Sequence, residues 1–575
     1  MVGPLLGALG IMPLVKLPTS AVCFSALSVL AGCGLLDHST PTHGFQPVGA
    51  PTAMGDSGGS GGSVTDVAKL PPSPHGVVGM HPLRRVEYRN TVQDLLGIDA
   101  TSPLQYEPTS RYWVGRVDAG AWFDAVSKVA AQLFAQPVLP QPFACATAGG
   151  NQRACALGII DEFGRRAFRR PLLAAEQHAF VVLYDQVISL GGTGLTALEQ
   201  VVCAILMSPA FVFHMELSDD PDGTAPERLD SYALAARLSY ALWSTTPDAE
   251  LLAAAATDLG SDESLAAAYA RLSQSPRAVA LPDGLGDEWL GLDRISNVAT
   301  SANLGFNDTL RSAMFAEGKM FLRLFATEQH PLRDLLTLDV NFVDAALAAH
   351  YGVPAPPTKL TRVSVTTDLR RGLLGLGGFL TFTSNPFRTS PTQRGRYVLE
   401  RLLCSPPPAP PAEVPQLDLD QSGAPSPGDT TRAQITFCTK GEPCHSCHQL
   451  MDPFGFALGN FDSLGRYTTT DGSLGNPVDV DAVLSPSLFP PGTQTAVHGF
   501  TELTELLANN QHFHACAARN LAQYLIHREI TEETDADLIV PLTHSVTASA
   551  TLPEVSKAIV MSDAFRYRRQ PPSAL

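Results

Sequence analysis

A mainly α-helical, multi-domain protein with little β structure is the fold class that this 575-residue sequence predicts. Three observations carry the prediction. Apolar residues recur at helical spacing through most of the chain beyond residue 75. Residues 76–575 are too many for one hydrophobic core, so three or four domains are expected. Only one stretch, "GNPVDVDAVLSPSLFPP", reads as a short β element.

The N-terminus, "MVGPLLGALGIMPLVKLPTSAVCFSALSVLAGCG", carries Lys16 as its only charge before Asp37. An apolar run follows Lys16 and ends Leu30-Ala31-Gly32-Cys33. A basic residue, a short apolar core and small residues before a cysteine describe a lipoprotein signal peptide. Residues 1–33 are assigned to it, with cleavage before Cys33 and a lipid on that sulfur. Starting at Met12 would give a more ordinary signal. A transmembrane anchor fits less well, because Leu17–Gly32 falls short of the roughly 20 residues a span needs and contains Pro18. The expectation is an exported chain, periplasmic or cell-surface, bound to a membrane through its lipid.

Residues 34–75 are rich in Gly, Ser, Pro and Thr and lack apolar periodicity, so they read as a flexible tether. N-terminal helical domains are expected over 76–225 and a central helical domain over 226–352. In the latter, "LDSYALAARLSYALWSTTPDAELLAAAA" sets Leu, Ala, Tyr and Trp at helical spacing. Asp230 is its N-cap, and Thr-Pro-Asp breaks to the next helix. "TLRSAMFAEGKMFLRLFATE" is read as a second core helix, with Phe315, Met320, Phe321 and Leu324 on one stripe. In 353–475 a Gly-spaced apolar segment leads to a loop with Arg388 and Arg394, a helix and a proline run. The two arginines could bind an anion, but solvent exposure or internal pairing is the better reading. Residues 476–575 form a C-terminal helical domain.

The formal net charge of −17 argues against nucleic acid as a partner. Ten cysteines suit an exported protein. Cys145 and Cys155 enclose a short polar loop and are the disulfide candidates, against the alternative of two separate thiols. Spacing gives no pairing for Cys203, Cys404, Cys438 or Cys516.

"EPCHSCHQLMDPFGFALGNFD" (442–462) holds the chemistry-bearing motif. Cys444 and Cys447 frame a C-x-x-C, and His448 follows at once. A redox dithiol would expect a βαβ context, which is missing from this Pro-rich neighbourhood. A structural zinc site needs four ligands, which Cys438 could complete as Cys3His. In an exported chain, C-x-x-C-H reads instead as attachment of one covalent haem c. Two thioethers fix the porphyrin edge, and His448 becomes the metal ligand on the iron. His445 should point away. Met451 lies three residues on, on the same porphyrin face as His448, and is assigned to the pocket lining, with Pro453 ending the helix. The sixth ligand is not singled out among His498, His512, His514, His527 and Met561.

An internal repeat is visible. "AILMSPAFVF" (204–213) matches "AIVMSDAFRY" (558–567), each closing a helical pair with a Ser-x-Ala-Phe turn. Met207 has no haem motif beside it, so the matching slot at Met561 is read as core packing.

Six motifs occur in order: "LRRVEYRNTVQDLLG" (83–97), "EFGRRAFRRPL" (162–172), "AILMSPAFVF", "LAARLSYALWSTTPDAEL" (234–251), "RTSPTQRGRYVLERLL" (388–403) and "CHSCHQLMDPFGFALGNFD". Together, over nearly all of 76–572, they resemble a family of exported bacterial multi-domain proteins. Its members string together domains of unknown function, with a planctomycete-type, cytochrome-c-like haem motif in the penultimate domain. The resemblance implies haem c at Cys444, Cys447 and His448 and supplies no reaction. Longer members carry a sheet-like, sugar-binding type of insert after the first motif; 98–144 is too short for it, which puts glycan binding in doubt.

Two function classes follow. One is an electron-transfer haem lipoprotein, or the haem subunit of an oxidoreductase, with an unnamed redox partner. The other is a lipid-anchored binding or scaffold protein with an auxiliary haem or zinc site. A two-haem peroxidase would need a second C-x-x-C-H, and the sequence has one.

Overall fold

The computed structural model describes residues 81–568, except 101–115, 150, 217–226, 357–358, 365–369, 386–387, 410–428, 443, 472–474, 531–534, 536–537 and 543–545. The signal-peptide reading, Cys33 and the 34–75 tether lie outside the described residues. Within them helices dominate. The named strands are two to four residues long and pair into antiparallel ribbons. No helix among the described residues is long and apolar enough to cross a membrane.

The chain divides into two compact units. The first comprises 81–215 with Thr245–Asp248. Its elements are β1 (His81–Pro82), α1 (Arg85–Leu96), α2 (Arg116–Phe134), α3 (Gln152–Phe168), α4 (Ala174–Ser189), α5 (Gly194–Met207), the single turn α6 (Pro209–Val212) and β2 (Phe213–His214). Tyr88, Val92, Val126, Phe143, Ile160, Phe163, Val201 and Phe211 are buried and build its core. The largely apolar α5 packs on α2, α3 and α4. Cys145 and Cys155 are disulfide-bonded as expected, clamping the turn before α3 onto the first turn of that helix.

The second unit comprises Glu216–Ser244 and 249–568. It runs β3 (Glu227–Arg228), α7 (Ser231–Trp243), α8 (Ala249–Thr257), α9 (Asp262–Ser273), α10 (Ala280–Glu288), α11 (Asp308–Thr327), α12 (Asp334–Thr337), β4 (Val340–Val343), α13 (Ala345–Tyr351), β5 (Thr361–Ser364), α14 (Gly377–Phe382) and α15 (Pro391–Tyr397). Then come α16 (Thr431–Thr439), α17 (Cys444–Ala457), β6 (Thr470–Asp471), β7 (Asn476–Pro477), β8 (Asp481–Val483), β9 (Ala496–His498), α18 (Gly499–Ala508), α19 (Gln511–Ile526), α20 (Leu552–Val560), α21 (Asp563–Arg566) and β10 (Tyr567–Arg568). One contiguous apolar cluster reaches from Leu229 to Phe565. Asp230 caps α7 as predicted, its carboxylate accepting from the Tyr232 and Ala233 amides at 2.8 and 2.9 Å.

Two expectations need correction. The predicted β stretch does contain β8, which pairs with β9, but β1–β2, β3–β10 and β4–β5 lie outside it. Ribbons this short leave too few residues for an alternating signal. On α11 the buried stripe is Leu310, Met314, Glu317, Phe321 and Leu324, while Phe315 and Met320 are only partly buried at its edges. Five residues advance a helix by about 500°, which leaves 315 and 320 about 140° apart around the axis and on different faces. The true stripe is masked in sequence by a charged residue at its centre.

The internal repeat is structural. In each copy a serine opens a single turn that leads into a two-residue strand: Ser208, which also ends the helix before it, and Ser562, which follows the Met561 cap of the helix before it. Each strand pairs with the strand preceding an amphipathic helix, β2 with β1 and β10 with β3. A buried arginine fixes each turn. Arg169 donates to the Ala210, Phe211 and Phe213 carbonyls at 2.7–3.2 Å and lies over the Phe211 ring. Arg237 donates to the Phe565 carbonyl at 2.6 Å and lies over the Phe565 ring. Met561 packs at the edge of the core as the last-turn cap of α20, as read from the sequence.

Candidate functional site

Cys444 opens α17, so Cys444, Cys447 and His448 fall at i, i+3 and i+4 and share one helical face. Both thiols are free and half-buried. His445 is exposed, turned away as expected. Met451 is buried against the core. Cys438, which a zinc site would need, has no described side chain. No cluster of three donors drawn from Cys444, Cys447 and His448 lies within 4.8 Å of one another among the described residues. The proline run passes close by, the Pro408 carbonyl 4.0 Å from the Cys447 sulfur.

The helix does not stop at Pro453 as expected; it continues to Ala457. Proline leaves the Gln449 carbonyl without its helical donor. Phe454, Ala457 and Leu458 are fully buried, and their burial offsets that loss. The helix end is closed from outside as well. Arg394 is completely buried and donates to the Leu458, Phe461 and Asp462 carbonyls at 3.0, 2.9 and 2.8 Å, and to the Ser384 hydroxyl at 3.1 Å. Burial pulls its guanidinium down to about 10, opposed by Asp462, so it remains cationic at neutral pH. Of the two arginines flagged in the sequence, this one is internally paired.

α15 packs on α17 backbone to backbone. A Cβ at Gly395 would fall 1.8 Å from the Met451 carbonyl oxygen, and one at Gly455 would fall 2.0 Å from that of Pro391. The Ser390 hydroxyl caps α15, with Pro391 in its first turn. This contact brings Thr392 to α17. The Thr392 hydroxyl donates to Asp452 at 2.7 Å. Asp452, buried and one turn after His448, accepts from His448 Nδ1 at 3.0 Å. The imidazole is thereby held in the tautomer with its proton on Nδ1, and Nε2 is left with its lone pair directed away from Asp452. Two free thiols and an oriented imidazole on one helical face fit a covalently attached haem.

The turn after α17 rests on a second polar network. Asp462 accepts from the Leu464 and Arg466 amides at 2.9 and 2.8 Å. Arg370 donates to the Gly465 and Gly375 carbonyls and stacks 3.9 Å over the Tyr351 ring. Tyr351 donates to both oxygens of fully buried Glu317 at 2.9 Å and accepts from the Gly377 amide. Burial pushes the Glu317 carboxyl up to about 7, partly opposed by Arg370 and by hydrogen bonds from Tyr351 and Asn341.

The other histidines named in sequence have different surroundings. His498 pairs with Asp481, His514 meets the Ala508 carbonyl at 2.9 Å, His527 ends α19 in a left-handed conformation, and His512 is exposed. The sequence reading missed Thr392, Gly395, Asp452, Gly455 and the role of Arg394. All five lie inside motifs it quoted, but nothing in either motif announces that the two stretches touch. It also left Cys404 and Cys516 unpaired, whereas they form a disulfide between the end of the α15 segment and α19.

Three protein-family models match the chain. Residues 155–216 match PSD5, a protein of unknown function (DUF1595), and 229–353 match PSD4, a protein of unknown function (DUF1592). Residues 370–471, which contain the whole candidate site, match PSCyt3, a protein of unknown function (DUF1588). No curated protein and no solved structure matches. With all three domains in series, the chain belongs to the family of multi-domain proteins built from these domains of unknown function, the planctomycete-type, cytochrome-c-like family.

Proposed function

We propose that this chain is an extracytoplasmic haem c protein, held at a membrane by a lipid on Cys33, that carries electrons or serves as the haem subunit of an oxidoreductase. One observation carries the reading: two free thiols and a histidine share one face of α17, with the histidine's Nδ1 tied to a buried carboxylate. Cys444 and Cys447 would hold the haem edge, and His448 would ligate its iron through Nε2. When bound, the haem supplies a one-electron couple. The chain's own residues prepare the face. Thr392 and Asp452 orient the imidazole, Met451 keeps that side of the helix apolar, and the Gly395 and Gly455 contacts fix α17 in place. Two disulfides among the described residues fit an oxidising compartment.

The test is expression of the full chain in a host with export and haem-attachment machinery. A haem-stained band after denaturing electrophoresis is expected, lost in Cys444→Ala/Cys447→Ala, with a reversible couple in redox titration. A colourless product with one zinc per chain overturns the reading. For the anchor, fatty-acid labelling should disappear in Cys33→Ala; equal labelling of both chains overturns the lipid assignment.

A further inference from the structure

We infer that Asp452, anchored by Thr392, positions His448 as the iron ligand and lowers the reduction potential of the haem. The inference rests on the haem c reading above and deepens it.

His448 Nδ1 lies 3.0 and 3.2 Å from the two oxygens of Asp452, and the Thr392 hydroxyl donates to Oδ1 of the same carboxylate at 2.7 Å. Asp452 is buried, so bulk water does not screen its contact with the imidazole. A ligating histidine almost always gives its other ring N–H to some acceptor, which fixes ring orientation and raises ligand basicity. A neutral carbonyl does this weakly. A carboxylate does it strongly, because the acceptor carries a full charge and the hydrogen bond is charge-assisted. Electron density withdrawn from the N–H bond accumulates at Nε2, the atom that would ligate the iron. A more basic axial nitrogen favours the ferric over the ferrous state, and hydrogen bonding around the ligands is one of the levers that set haem potential.

Thr392 has a separate role. It comes from α15, across the helix contact made by Gly395 and Gly455. Its hydroxyl holds the carboxylate in the rotamer that meets Nδ1, so the ligand's orientation is set by the packing of two helices and not by α17 alone. Asp452 and Thr392 are positioning residues, since they act through His448.

The experiment is a mediated redox titration of the haem-loaded full chain, native and Asp452→Asn. Asparagine keeps the shape and a carbonyl acceptor and removes the charge. At the ambient potential where the native protein is half reduced, Asp452→Asn is expected to show a ferrous-to-ferric ratio at least about tenfold higher, equivalent to about 59 mV for one electron. Thr392→Val, which keeps the branched shape and removes the hydroxyl donor at a partly buried position, should move the ratio in the same direction by less, and Thr392→Ser should restore it. An independent readout uses haem-free protein. Nitrogen-15 spectra of the imidazole should place the His448 proton on Nδ1 in the native chain and show loss of that preference in Asp452→Leu. A haem-loaded native chain whose Asp452→Asn and Thr392→Val variants titrate at the native potential overturns the inference alone. A native chain that takes up no haem overturns the function reading, and this inference falls with it.

Discussion

Gly455 lies against the backbone of Pro391 so closely that a Cβ at 455 would come within 2.0 Å of the Pro391 carbonyl oxygen. Gly395 makes the reciprocal approach to Met451. Two helices distant in sequence therefore meet at their backbones, and that contact carries Thr392 to Asp452. Gly455→Ala and Gly395→Ala should each force the helices apart. Overpacking of this kind costs about 1–3 kcal/mol, and more when the obstacle is backbone. Thermal unfolding should shift down in both variants. Native-like melting of Gly455→Ala would remove this account of the helix pair.

Arg394 closes the end of α17 by donating to three carbonyls. Arg394→Met keeps much of the volume and removes every donor. Each carbonyl left unsatisfied in the core costs about 1–3 kcal/mol. Arg394→Lys should not rescue it, because one ammonium cannot span a fork-shaped set of acceptors. Both variants are expected to be cleaved early in limited proteolysis within 440–470; protection equal to the native chain would contradict the capping role.

Glu317 gives a pH dependence with a definite sign. Burial raises its carboxyl from 4.5 to about 7 in the folded chain. Between those values the folded state binds more protons than the unfolded state, so stability falls as pH rises through this window and levels off above it. Its contribution is fully present below 4.5 and lost as pH passes about 7. Glu317→Gln removes the titration while retaining a hydrogen-bonding partner for Tyr351. Melting temperatures measured from pH 5 to pH 8 should show the native protein losing stability relative to Glu317→Gln. Parallel curves would mean that Glu317 titrates outside this range.

The two disulfides should differ in weight. Cys145–Cys155 spans 10 residues and Cys404–Cys516 spans 112. In the chain-entropy model the cost of losing a bridge grows with its loop, from about 3 kcal/mol for a 15-residue loop to about 4.7 for a 100-residue one. Paired serine substitutions should lower the unfolding midpoint more at 404/516 than at 145/155. Non-reducing peptide mapping of haem-free chain should find both bridges and leave Cys444 and Cys447 as reduced thiols. A bridge between Cys444 and Cys447 would contradict the site described above.

What the sequence by itself determined is local. Helical periodicity predicted the mainly α class, Asp230 announced its own cap, Cys145 and Cys155 were close enough to be paired by inspection, and C-x-x-C-H put three chemical groups on one face once the segment was helical. Those properties depend on neighbours within about one or two turns, where geometry follows from spacing. Tertiary structure alone decided which distant segments meet. Thr392 reaches Asp452 across 60 residues and Arg394 reaches Leu458 across 64. Glu317 sits at the centre of a buried stripe because Tyr351, Arg370 and the Gly377 amide gather around it. Cys404 and Cys516 are joined only because α19 packs beside the end of the α15 segment. A buried charge looks like a surface residue in sequence, since what makes its burial tolerable is supplied by partners from elsewhere in the chain.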